Sequence, residues 1–411
     1  IMGGDGMQVQ IDNRNSNIVY TGYQFGNYFR LDLETKKRTY IQPKHELGEA
    51  PYRFNWQTPI LLSSHNQDIL YLGGNKLHRS LNQGDDWFAI SDDLTQGGKK
   101  GNVAFGTLTT IAESPAQFGF LYTGSDDGYV YRSENGGGSW DRVSDDLPQN
   151  LWVSRVIASE HQKERVYVTL NGYRNDDFTA YVYVSEDKGV SWKSINTNLP
   201  NSSVNVIRED PNNDQILYLG NDQGVYVSFD QGQKWHPFAN GLTTAAVHDL
   251  VIQPEANHLL VGTHGRSIYK ADLAPFQKLN DAFLKQELAL LDPQEVKHSK
   301  RWGSSYSSWR TVFEPETTFT SFAKTPVAYE MQIKDTKGTV LFSQKGMLDA
   351  GFNFIIYALE KDALGIKNYN KKNKKSPSKS ANNGKHYLEK GTYSVEFTKG
   401  SLKQKKALHI Q

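Results

Sequence analysis

From Met7 to Leu273 the chain alternates apolar and polar positions in short runs that break at Gly, Asn and Asp, the period-two signature of half-buried strands. No stretch there repeats at helical spacing. One apolar run recurs six times: IVYTG (18–22), ILYLG (69–73), FLYTG (120–124), RVYVT (165–169), ILYLG (216–220) and HLLVG (258–262). Around each, the pattern predicts a short strand before and two after. In the third unit these are Thr107–Glu113, Gly119–Gly124, Tyr129–Ser133 and Ser139–Val143. A period of about 40–50 residues fits four-stranded propeller blades better than helical repeats. The sixth unit, Val247–Leu273, offers only three strands. Its fourth is expected from chain upstream of Ile1, because a propeller closes its ring to hide sheet edges. The opening Ile1-Met2-Gly3-Gly4-Asp5-Gly6 reads as a strand-edge loop, and the chain as the later part of a longer one.

Four of the units carry the same turn. Ser80, Asn82, Gly84 and Trp87 recur as Ser133, Asn135, Gly137 and Trp140, as Ser185, Asp187, Gly189 and Trp192, and as Ser228, Asp230, Gly232 and Trp235. In S-x-[DN]-x-G-x-x-W the Asp or Asn folds onto following backbone amides, the Gly takes a positive φ, and the Trp packs back as a plug. These residues are expected to be structural.

After residue 275 the pattern changes. Residues 276–310 are expected to link, with the helix-compatible stretch FQKLNDAFLKQELALLDPQEVKHSKR at 276–301. Residues 311–411 predict a β-sandwich, with strands at Thr317–Phe322, Val327–Asp335, Thr339–Ser343, Phe352–Ala358, Gly391–Thr398 and Lys405–Ile410. The fold class is therefore all-β: a propeller over 1–275, part of a larger one, then a small sandwich.

Charge sharpens the boundary. The net charge of +1 divides into −9 over residues 1–275 and +10 over 276–411, the latter carried by 21 Lys and 2 Arg. The densest run, Lys367 to Lys379, is expected to be a solvated loop, and with Tyr369 as its one aromatic it does not predict nucleic-acid binding. The absence of Cys excludes disulfides, thiolate metal sites and a thiol nucleophile. No apolar run is long enough for a membrane-spanning helix. No HExxH, EF-hand or phosphate loop occurs, and DPNNDQ (210–215) lacks calcium-loop spacing, so neither metal nor cofactor is expected.

The Asp-box turns, with YRFNWQTPILLS (52–63), ISDDLT (90–95) and GTHGRSIY (262–269), resemble the sortilin-like, BNR-repeat propellers often labelled glycosyl hydrolases. The ending LEKGTYSVEFTKGSLKQKKALHIQ is similar to the immunoglobulin-like carboxy-terminal modules of exported bacterial proteins and to the type IX sorting module. Both resemblances imply an extracytoplasmic location: secreted, at the cell surface or outer-membrane-associated.

Propeller geometry puts any ligand on the face away from the Asp-boxes. Its loops supply Tyr23, Gln24, Asp126, Asp127, Tyr173, Arg174, Asp222, His264 and Arg266, with Arg53 and Trp56 from an interblade loop. Glycosidase chemistry needs two carboxylates across a sugar, and Asp126, Asp127 and Asp222 are the candidates. Where the resembling xyloglucanases carry an acid, this chain has Gln24, which cannot exchange the proton. The FRIP-type arginine motif of sialidases is missing as well. His264 with Arg266 reads as an anion clamp or, more plainly, as a tight closing turn. The reading that follows is an extracytoplasmic binding or scaffolding propeller for a protein, peptide or glycan. The alternative is a glycoside hydrolase using paired rim carboxylates. A third is an accessory subunit of an outer-membrane assembly, contacted through the basic tail.

Overall fold

The computed structural model describes residues 3–101, 103–238, 242–277, 279, 281–307 and 309–411. Ile1 and Met2, read above as the start of a strand-edge loop, lie outside them. The chain divides into two compact units, one of residues 1–235 and 244–271, the other of 236–243 and 272–411.

In the first unit all six repeats form antiparallel sheets. Five have four strands in sequence order and the sixth, Val247–Gln253, His258–Thr263 and Ile268–Asp272, has three among the described residues. The fourth blade is representative: Trp152–Ala158, Val166–Asn171, Tyr181–Ser185 and Lys193–Ser194. Each recurring apolar run is the second strand of its blade, and Leu70, Leu121, Val166 and Leu217 within them are fully buried. β-Branched and aromatic side chains on alternate faces pack each blade on its neighbour, as in the cluster of Tyr167, Val182, Ile195, Ile207, Leu217 and Trp235.

The Asp-box turns tie the seams. In the four copies the Ser hydroxyl donates to the Asn or Asp carboxyl or amide oxygen at 2.7–3.0 Å and accepts the Gly N–H at 2.7–2.9 Å. The same Asn or Asp oxygen accepts the N–H four residues on at 2.9 Å. The glycine has a positive φ, and a Cβ there would strike Ile41, Ile90, Val143 or Ile195 of the preceding blade. Three of the tryptophans donate their indole N–H to the carbonyl of that same residue: Trp140 to Ile90, Trp192 to Val143, and Trp235 to Ile195, at 2.7–2.8 Å. The Trp is thus a plug between blades rather than a lid on its own turn.

A second tie appears at alternate seams. Ser63 and Tyr71 of blade two donate to Glu113 of blade three, and the His65 ring to the Ser114 carbonyl. Ser159, Tyr167 and His161 of blade four do the same to Glu209 and Asp210 of blade five. At the seams between blades one and two and between blades three and four, Leu62 and Ala158 occupy the Glu position, and among the described residues the buried Tyr20 and Tyr122 hydroxyls have no hydrogen-bond partner.

The second unit has two antiparallel sheets. One orders Leu288–Leu290, Thr317–Ala323 and Gly351–Tyr357; the other orders Val340–Leu348, Val327–Lys334, Gly391–Lys399 and Leu402–Ile410. Phe319, Tyr357, Tyr329, Met331, Val395 and Phe397 from both sheets share one core, which is consistent with the expected sandwich. Two expectations need correction. Residues 276–310, read as a linker, supply the strand Leu288–Leu290, whose three residues are all buried. The lysine-rich run is not all loop, because its first part lies in the helix Ala363–Lys372. Asp362 caps that helix by accepting the Gly365 N–H at 2.6 Å, Lys371 and Lys372 favour its carboxy-terminal end, and Gly365 is required because a Cβ would collide with the Leu341 carbonyl.

Candidate functional site

At the end of the blades away from the Asp-boxes, the first strands of blades three to six each slip register by one residue. The ladders skip Thr109, Ser154, Asn205 and His248. A bulge re-aims a side chain that would otherwise lie against a neighbouring sheet. All four bulged residues line one cavity of about 380 Å³. Three of them form a relay from blade to blade: Thr109 Oγ1 donates to the Val153 carbonyl at 2.6 Å, Ser154 Oγ to Val204 at 2.8 Å, and Asn205 Nδ2 to Val247 at 3.1 Å. The fourth, His248, ends the relay with its ring 5.1 Å from that of His264.

Amides continue the lining. Asn171 Nδ2 donates to Asn205 Oδ1 at 2.7 Å, and Asn205 Nδ2 donates to Asp222 Oδ1 at 2.8 Å. The Asn171 side chain also accepts the Tyr173 N–H at 2.9 Å, which fixes the short 3₁₀ turn Tyr173–Asn175 at the mouth. Arg174 on that turn lies over the Trp152 ring, 4.0 Å from its centroid, a cation–π contact. Gln8, Gln57 and Arg155 complete the polar wall. Arg155 Nη2 meets Asp249 Oδ1 at 2.9 Å, and Arg208 meets the same oxygen at 3.3 Å.

Of the rim residues expected from sequence, Tyr173, Arg174, Asp222 and His264 line this cavity. Tyr23, Gln24, Arg53, Trp56 and Arg266 are not among its lining residues. Tyr23 packs on Phe29, Trp56 edge-on to Phe25, and the Gln24 amide bonds Asp5. Arg53 is committed to Asp93 at 2.6 Å and to the Gly106 carbonyl at 3.0 Å. Arg266 is exposed on the turn between the last two strands of blade six, where His264 N–H donates to Ala246 O.

The two adjacent acids are scaffold. Asp126 is buried, and burial raises its pKa above the ordinary carboxylate range, which in an open cleft would suggest a general acid. Its oxygens, however, are occupied: Oδ1 accepts the N–H groups of Gly106 and Thr107 at 3.0 Å, and Oδ2 accepts Thr107 Oγ1 at 2.6 Å and Asn55 Nδ2 at 3.3 Å. Asp127, also buried, accepts the Gln96 N–H at 2.7 Å and the Ser125 hydroxyl. Asp222 is the one carboxylate among the described lining residues.

The electrostatics lean the other way. His248 has its pKa lowered, first by burial and then by His264, with Arg174 adding to the repulsion. Arg174 is likewise lowered by desolvation, with Asp126 pulling against it. Both shifts disfavour the charged form, as expected for groups taken out of water. Among the described residues Arg174 makes no ion pair. No cluster of three or more His, Asp or Glu that could hold a metal occurs among the described residues.

Sequence reasoning missed the bulged residues. Their only trace is a polar residue directly after an apolar one near the start of each first strand, in LTT, VSRV, VNV and VHDL.

No curated protein matches the chain. Among solved structures it is similar to a GH74 enzyme of Niastella koreensis at 12% identity and TM-score 0.48, covering 97% of this chain and 65% of that one, so it spans just under two thirds of that relative. A GH74 xyloglucanase of Xanthomonas campestris matches at 14% identity and TM-score 0.47, over 98% of this chain and 74% of that one. YCF48 bound to D1 peptide matches at 12% identity and TM-score 0.39, over 66% and 93%. A family model described as Sortilin, neurotensin receptor 3, matches residues 180–278, the stretch that holds the last two Asp-boxes and the sixth blade, and there the resemblance read from the sequence is met by a family match.

Proposed function

We propose that the first unit is a binding propeller that holds a glycan, peptide or protein segment in the bulge-lined cavity without cleaving it. The observation that supports this most is the commitment of the carboxylates. Hydrolysis of a glycosidic bond takes two carboxyl groups on either side of the sugar. Here the described lining residues include one carboxylate, Asp222, while Asp126 and Asp127 spend their lone pairs on backbone and side-chain donors. The side chains left over are amides, hydroxyls, aromatic rings and cations, which bind and orient. We place the protein outside the cytoplasm, on the resemblance of its Asp-box repeats and of its carboxy-terminal segment to those of exported proteins, with residues 311–411 as an immunoglobulin-like module.

The test is a panel of polysaccharides and peptides read for both bound ligand and new reducing ends. Binding without release is expected, weakened by Asn205→Leu. Reducing ends that appear with the wild type and vanish in Asp222→Asn would make the protein a glycoside hydrolase and overturn the reading.

A further inference from the structure

The cavity is asymmetric in what it leaves unused. Along the relay each bulged residue spends its donor on the next blade's carbonyl, so Thr109, Ser154 and Asn205 are held. His248, where the relay ends, faces His264 instead. Arg174 stands over Trp152 with no carboxylate partner among the described residues. Opposite in character, Asp222 keeps one oxygen free of the Asn205 bond and sits at the end of the Asn171–Asn205 chain.

We propose, building on the binding reading above, that this cavity takes the uronate residue of an acidic polysaccharide. The carboxylate lies against Arg174 and His248, and the ring hydroxyls lie against Asn171, Asn205 and Asp222. A guanidinium seated over an indole face keeps N–H groups available as a fork, the geometry that suits a carboxylate. A hydroxyl can donate to Asp222 and accept from Asn171 Nδ2 at once, so adjacent hydroxyls on one ring satisfy both ends of the amide chain. The exposed face of Tyr173, 58% accessible, supplies an apolar surface at the mouth for the C–H face of the neighbouring sugar. A volume of about 380 Å³ admits one or two such rings, at the lower end of small-molecule sites. A sugar acid is favoured over a peptide because the cavity asks for an anion and for several small donor-acceptor groups at once. A neutral sugar would leave the Arg174 guanidinium unanswered.

The test is calorimetric titration of the full chain with trigalacturonate and with neutral galactotriose, in buffer of fixed ionic strength near neutral pH. Trigalacturonate is expected to bind at least tenfold tighter. Arg174→Gln should lose about tenfold for the acidic sugar and little for the neutral one, His248→Gln severalfold, and Arg174→Lys should lie between. Arg142→Gln, outside the cavity, serves as control, and circular dichroism confirms that each variant folds. Equal affinity for both trisaccharides, untouched by Arg174→Gln, would overturn the uronate assignment while leaving a glycan-binding propeller. Failure of both sugars alongside Arg174-dependent binding of an acidic peptide would overturn the sugar while keeping the cavity. Reducing ends released from trigalacturonate would overturn the binding reading itself.

Discussion

The two ends of the same blades differ in how they use polar side chains. At the Asp-box end almost every polar atom is spent: the Ser hydroxyl both donates and accepts, the Asp or Asn oxygen takes a further amide, and three indole N–H groups reach the preceding blade. At the opposite end one-residue bulges turn Thr109, Ser154, Asn205 and His248 inward, and the walls they build leave Arg174, His248 and one oxygen of Asp222 uncommitted. Both ends are rich in Asp, Asn and Ser, so composition does not separate them. Local geometry does. A side chain within four residues of its acceptor closes a turn, whereas one re-aimed by a bulge faces whatever enters the channel.

If that contrast is right, the Asp-box end should answer in stability and the rim in binding. Trp235, 1% exposed and bonded to Ile195, is expected to cost about 3–5 kcal/mol as Trp235→Ala, while the half-buried Trp152→Ala should cost far less, both read from urea unfolding midpoints. Histidines give the next largest effect. Burial depresses the His78 pKa from 6.5 to about 4. The unfolded chain therefore takes up a proton that the native one refuses. Stability should fall by about 3 kcal/mol between pH 6.5 and 4, and His78→Phe should flatten that slope in an unfolding titration. The His248 pKa is lowered as well, by burial and by His264, so its substitution should flatten the slope in the same direction.

The alternate seams give a smaller and more pointed test. Tyr167→Phe removes a hydroxyl that bonds Glu209 and is expected to cost about 1–1.5 kcal/mol. Tyr122→Phe removes one with no partner among the described residues, so it should be neutral or slightly stabilising by the same assay. Ser185→Ala should cost about 1 kcal/mol, the net worth of the bonds its hydroxyl makes. Asp222→Asn should stay within about 0.5 kcal/mol of wild type while altering ligand affinity.

The same contrast explains what could be read in the sequence. The six second strands and four Asp-boxes are local signals, period-two alternation and a turn whose partners lie within four residues, and the structure places each where the pattern expected it. The bulges are not local. Whether Asn205 faces a ladder partner or the channel depends on how Val204 and Val206 pair with the second strand, and VNV alone does not say. Asp126 was legible as a rim acid but not as a scaffold, because its four donors come from residues 106, 107 and 55. The strand Leu288–Leu290 and the helix Ala363–Lys372 were missed for a related reason. The former is short and pairs only with Ser321–Ala323, and the latter is helped by the Asp362 cap and by packing at Gly365 against the propensities of its Asn-rich sequence.

The most direct test of the central claim is amide hydrogen exchange with and without the tightest ligand from the panel. The account predicts ligand-dependent protection at residues 171–177, 204–206, 221–224 and 246–248, with the Asp-box turns at 80–87, 133–140, 185–192 and 228–235 unchanged. Protection confined to those turns, with none around the bulges, would contradict it.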